Sequence, residues 1–123
     1  MLRFDGSVRI WLCTEPTDMR KSFNGLSALV KHRLNADPLN GHLYVFINRR
    51  KTQMKILYFD QSGYAIWSKR LEQGQFVASH NTRAIKQSIS FAQLQCLLEG
   101  IDIRHAKQYK RFRLTDNEAV AVQ

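Results

Sequence analysis

The side chains whose types and spacing suggest chemistry in this sequence are cations, and the chemistry they suggest is anion binding. Arg20 and Lys21 stand in the first turn of an expected helix. Cations there oppose the helix dipole. A phosphate held jointly with the helix N-terminus would account for them, and so would two side chains reaching into water. Arg49, Arg50 and Lys51 fall in a hairpin loop. A two-stranded ribbon of this kind fits the major groove of B-DNA, while a solvated loop blunting the end of a sheet is the plainer alternative. Arg104, Lys107, Lys110, Arg111 and Arg113 form a third group with Tyr109 and Phe112 interleaved and no acid among them, which reads as a basic arm. Lys55, in the strand after the basic loop, completes the candidate set.

Catalysis by carboxylates and metal ions finds less support. A nuclease or transposase site needs acids that converge on one or two metals. Here the acids are scattered, and several have local reasons: Asp18 as a helix cap, Asp37 before Pro38 in a turn, Asp60 at a hairpin turn. His32, His42, His80 and His105 are spread along the chain, and no nucleophile elbow, P-loop or dinucleotide fingerprint is present. Cys13 and Cys96 lack CxxC partners and read as small core residues. The expectation is a non-enzyme with no catalytic residues, no metal and no cofactor.

The field of the whole chain points the same way as the clusters. Nineteen Lys and Arg face ten Asp and Glu in 123 residues, a formal charge of +9 that makes polyanions, nucleic acid first, the natural partners. No apolar run suggests a secretory signal or a membrane span, so a cytoplasmic protein is expected.

The elements that must position these cations follow from periodicity. Val8–Cys13 reads as a first strand, rich in β-branched and aromatic residues, and Pro16 breaks it. Met19, Phe23, Leu26, Val30 and Leu34 recur at helical spacing, so the pattern predicts a helix over Met19–Leu34 capped by Asp18. Gly25 within it suggests close approach of helix to sheet. Three strands follow, His42–Ile47, Gln53–Asp60 and Tyr64–Leu71, with both faces apolar. One face is for the helix; the other needs the C-terminal half of the chain, a second subunit or a ligand. The aromatics Tyr44, Phe46, Tyr58, Phe59, Tyr64 and Trp67 suit either a stacking platform for single strands or, more simply, a core. Phe76-Val77 suggests a short edge strand, residues 78–83 a loop, and Ile85–Ile89 a last weak strand. Ser90 caps a short helix with Phe91, Leu94, Leu97 and Leu98 on one stripe, stopped at Gly100 with Ile101 packing back. The fold class expected is α+β: an antiparallel β-meander sheet of about four to five strands with one main helix packed on it and a short C-terminal helix. Residues 1–103 form that single domain, and residues 104–123 form a basic tail.

The stretch from Thr17 to Leu26 (Thr-Asp-Met-Arg-Lys-Ser-Phe-Asn-Gly-Leu) carries a resemblance. So do Gly41–Phe46, Arg49–Thr52, Lys55–Asp60, Lys69–Glu72 and Gly74-Gln75-Phe76, with Leu94–Asp102 further on. Together they resemble the small accessory protein (Orf2, or TnpB-type) of the insertion-sequence sixty-six family of bacterial transposons. The resemblance implies a helper in transposition beside a separate, larger transposase that carries the acidic catalytic site. The sequence departs from the family pattern after Phe76, where Val77-Ala78-Ser79-His80 stands in place of a Trp-Pro pair. Combined with the charge, the expectation is an accessory factor that binds DNA through its phosphates, with weak sequence preference and strong salt dependence. The alternative is an adaptor that docks the transposase, or a second copy of itself, without touching DNA.

Overall fold

Alternating apolar strands and strong turn residues build a five-stranded sheet with two helices. The computed structural model describes residues 6–78 and 83–101. The chain runs β1 (Ile10–Cys13), α1 (Phe23–Ala28), β2 (Leu43–Ile47), β3 (Gln53–Asp60), β4 (Gly63–Arg70), β5 (Lys86–Ile89) and α2 (Phe91–Glu99). Across the sheet the order is β4-β3-β2-β1-β5.

The expected meander is present in β2, β3 and β4, which pair antiparallel with Val45 opposite Ile56 and Ile56 opposite Trp67. The sheet as a whole is mixed, which corrects the purely antiparallel expectation. β1 lies parallel to β2, Ile10 beside Leu43 and Leu12 beside Val45, and antiparallel to β5. The cause is the connection: the β1–β2 segment carries α1, and a crossover returns the chain in the same direction, where a hairpin would reverse it.

Both faces of the sheet are filled. Leu43, Val45, Ile47, Met54 and Ile56 share one buried cluster with Ile10, Leu12, Phe76, Leu94 and Leu97. Tyr44, Phe46 and Leu57 share the other with Cys13, Leu26, Val30 and Leu34. The face that lacked a cover in the sequence is therefore closed by α2 and Phe76. Phe76 forms no edge strand; it is buried, and its N–H donates to Lys51 O at 2.7 Å.

The first helix is shorter than its apolar spacing predicts. It starts at Phe23, with Ser22 as an N-cap that makes no side-chain bond. The residues before it form a turn in which Asp18 Oδ1 accepts from Arg20 N at 2.9 Å and Asp18 O accepts from Lys21 N at 3.1 Å. Lys55 Nζ donates to Met19 O at 2.7 Å and to Lys21 O at 2.8 Å. Those are the carbonyls that Phe23 N–H and Gly25 N–H would need if the helix began at Met19. Asp18 therefore caps a turn and not the helix, and Phe23 stands 46% exposed.

After Ala28 the backbone widens into a π turn over Leu29–Arg33, with Leu34 N–H on Leu29 O at 3.0 Å. Leu26, Val30 and Leu34 recur every fourth residue, a spacing that drifts about 40° per step on a straight α-helix. The wider turn offsets part of that drift and keeps all three in one cluster. Gly25 faces the stem of Lys21: a Cβ there would sit 3.0 Å from Lys21 Cβ. Helix–sheet approach is thus not its reason.

At the other end of the domain, Ser90 and Gln93 form a reciprocal capping box. Gly100 takes φ +81°, with Ile101 N–H on Cys96 O at 2.8 Å, which is the Schellman stop. Ile101 itself remains 45% exposed.

Candidate nucleic-acid interface

The hairpin between β2 and β3 is a four-residue loop closed by Asn48 N–H on Gln53 O at 3.1 Å. It turns through Arg49 and Arg50, with Lys51 N–H on Asn48 O at 3.0 Å, and needs a positive φ at Lys51, which takes +62°. The Asn48 side chain braces it from inside. Its Oδ1 accepts from Thr52 N at 2.8 Å and Gln53 N at 3.0 Å, and its Nδ2 donates to Thr52 Oγ1 at 3.1 Å.

The segment after β4 braces the same loop from outside. Gln75 Nε2 donates to Arg50 O at 2.8 Å, Phe76 N to Lys51 O at 2.7 Å and Leu71 N to Thr52 O at 2.8 Å. Three successive loop carbonyls are thus occupied by one passing strand of chain. The backbone is fixed while the Arg49 and Arg50 side chains remain exposed. Among the described residues neither of them forms an ion pair.

A second segment is drawn up to this loop. Thr17 N–H donates to Ile47 O at 3.0 Å, and the two Lys55 bonds hold the turn that follows. The result is an open groove of about 970 Å³ lined by Pro16–Arg20 on one side and by Asn48, Arg49, Arg50 and Gln53 on the other. Three guanidinium groups and one carboxylate line it, +3 − 1 = +2 in formal charge.

Within the groove Arg20 grips Asp18: Nη2 lies 2.7 Å from Oδ2 and Nε 3.1 Å from Oδ1. The Arg20 side chain, then its backbone N–H, hold the Asp18 carboxyl well below the usual carboxylate range. Arg20 is 91% exposed in its side chain, so this pair is a solvated one that a stronger anion can compete with.

The sequence-derived candidates separate accordingly. Arg20, Arg49 and Arg50 come together in the groove. Lys21 is exposed but does not line it, and Lys51 is half-buried at the strained loop position. Lys55 is spent on two carbonyls and serves as the tie between β3 and the Thr17–Lys21 turn. Arg104, Lys107, Lys110, Arg111 and Arg113 lie outside the described residues, as does the end of the domain at residue 103. The aromatic set divides too: Tyr44 and Phe46 are fully buried, and burial pushes the Tyr44 hydroxyl pKa up. Sequence reading missed Asn48, Gln75 and the Asp18–Arg20 pair; an Asn opening a hairpin loop is the one signal that pointed to any of them.

Among the described residues no three His, Cys, Asp or Glu side chains gather as a metal site would require, and no helix is long and apolar enough to cross a membrane.

Comparison with known proteins gives a consistent answer. No solved structure matches. The chain is 41% identical over 109 residues to the uncharacterized protein y4hO of Sinorhizobium fredii, covering 88% of this chain and 93% of that one. It is 41% identical over 70 residues to the uncharacterized protein y4jC of the same organism, covering 57% of this chain and 60% of the relative. The family model described as IS66 Orf2 like protein matches residues 8–108, so the chain belongs to the IS66 Orf2-like family, the accessory proteins associated with transposition of these insertion sequences.

Proposed function

We propose that the chain acts in transposition as a non-enzymatic DNA-binding factor that grips duplex phosphates in the groove between the Pro16–Arg20 segment and the Asn48–Thr52 loop. The observation that carries this reading is a backbone held at three successive carbonyls while Arg49 and Arg50 stay exposed and unpaired. Pre-shaping a loop removes part of the ordering cost of binding. Arg forks match phosphate oxygens, and phosphate contacts give affinity without sequence preference. The sheet face on which the alternative adaptor would dock the transposase or a second copy is covered within the chain, which favours the DNA reading.

A salt titration of duplex DNA binding tests the proposal. Arg49→Ala and Arg50→Ala together should lower the log–log salt slope by about two, one per lost phosphate contact. Asp18→Asn should act the other way: it keeps an oxygen for Arg20 N–H, releases the guanidinium, and tightens binding at low salt. Unchanged slopes in both variants would sink the assignment of DNA to this groove.

A further inference from the structure

The sheet ends at β4, and nothing among the described residues pairs with its outer edge. Which backbone groups face outward follows from the register. Leu71 N–H donates to Thr52 O, and in phase with that pair lie Met54–Lys69, Ile56–Trp67, Tyr58–Ala65 and Asp60–Gly63. Antiparallel pairs alternate between bonded and non-bonded, so these are the bonded ones. Tyr64, Ile66, Ser68 and Arg70 therefore turn their N–H and C=O groups away from β3.

Among the described residues this edge lacks the usual protections. It is eight residues long, contains no Pro, and carries charge only at its last two positions, Lys69 and Arg70. Tyr64, Ala65, Ile66 and Trp67 are half-buried, with Tyr64 and Ile66 against one core cluster and Trp67 against the other.

We infer that β4 is the pairing edge of a homodimer, two copies joined antiparallel along Gly63–Arg70 with Ile66 opposite Ile66 of the second copy. The sequence of β4 complements itself in that register. Trp67 falls opposite Ala65, Tyr64 opposite Ser68 and Lys69 opposite Gly63, so on either side of the central Ile66 pair each large side chain meets a small one. The Lys69-Arg70 ends lie at opposite extremes of the joint, away from each other. At that end Arg70 is met within the chain by Glu72, Nη2 to Oε2 at 3.1 Å, and the self-paired register sets no cation opposite a cation. The twofold axis is perpendicular to the sheet, so both copies turn the α1 face to the same side and form one ten-stranded sheet. Ile66 and Leu71 are five residues apart, about 17 Å in a strand. The two Arg49-Arg50 loops, level with Leu71, are then about 34 Å apart along the strands and about 19 Å across them, about 39 Å in all and near one turn of B-DNA. That last consequence rests on the DNA reading; the dimer does not.

Sedimentation velocity on the full chain, without nucleic acid and at high salt, tests the dimer independently of DNA. The wild type should sediment as a concentration-dependent dimer. Ser68→Pro should be monomeric with an unchanged circular dichroism spectrum, because the Ser68 N–H faces outward and its loss removes no bond of its own sheet. Ile66→Cys in a Cys96→Ser background should form a covalent dimer on mild oxidation, since bonded antiparallel partners sit about 5.5 Å apart, within disulfide reach. A wild type that remains monomeric across micromolar concentrations overturns the inference. So does a dimer that survives Ser68→Pro, or one in which Ile66→Cys does not cross-link.

Discussion

Asn48→Ala isolates what holds the basic loop in shape. The substitution deletes three hydrogen bonds, two of them to backbone N–H groups of Thr52 and Gln53 that the loop cannot satisfy otherwise. At about 0.5–1.5 kcal/mol net for each bond the loss would reach about 3 kcal/mol, but the site is half-buried and water replaces part of it, so about 2 kcal/mol is expected. In a domain of this length that corresponds to a fall of about 6–10 °C in Tm, readable by thermal or urea denaturation. Asn48→Asp keeps the carboxyl oxygen that serves both N–H groups and loses only the Nδ2 donor, so it should retain most of the stability. Binding should weaken as well, by about 5- to 150-fold, because Arg49 and Arg50 would then be ordered at the moment of contact at a cost of about 0.5–1.5 kcal/mol per side chain. An alanine variant within about 0.5 kcal/mol of wild type would refute the bracing argument, since surface substitutions away from such features fall in that range.

Two further perturbations probe the ties around the groove. Lys55→Met strands Met19 O and Lys21 O, and bonds from a charged donor are worth about 1.5–3 kcal/mol when fully formed; with Lys55 half-buried, a loss of about 2 kcal/mol in urea denaturation is expected. A phosphate-binding Lys55 would instead lower the salt slope by about one and leave stability unchanged. Glu15 is held below its ordinary pKa mainly by the hydrogen bond from Arg33, whose Nε lies 3.0 Å from Oε1. A depressed carboxyl contributes stability that is present above its unfolded value and lost as pH falls through the native one. Glu15→Gln should therefore destabilise at pH 7, with the gap to wild type closing below about pH 4 and shrinking with added salt.

What could be read in the sequence was whatever depends on near neighbours. The β3 bounds match their expectation residue for residue, and β4 is offset by one, because turn residues on either side of an alternating run set both. The α2 cap and stop were visible in Ser90 and Gly100 for the same reason, while the return bond from Gln93 was not read. What escaped depends on partners far along the chain. The late start of α1 is decided by Lys55, 36 residues beyond Met19. The parallel β1–β2 pair follows from where the crossover returns, which no local pattern records. Phe76 reads as a strand residue but is buried in the core, with its N–H on the basic loop. Of the candidate site, Arg49 and Arg50 were legible as cations in a hairpin; their proximity to Arg20 was not, because it needs the Thr17–Ile47 and Lys55 bonds.

The residues that resemble the family's signature divide by what they do here. Thr52, Gln75 and Phe76 are uncharged and bond to the loop backbone or to the Asn48 side chain that braces it, while Arg49 and Arg50 project from it. Thr17 and Lys55 bring the Asp18–Arg20 turn alongside. Asp18 then occupies Arg20, which limits the resting charge of the groove and leaves a cation that an anion stronger than a carboxylate can recruit. Asp18 also has a structural use, accepting from the Arg20 N–H that closes the turn. Under the proposed DNA reading, its place beside Arg20 moderates the grip of the groove on phosphate. Asp18→Asn, by removing the moderation and leaving the turn, separates that role from a merely structural one: a structural Asp18 would lower stability without tightening DNA.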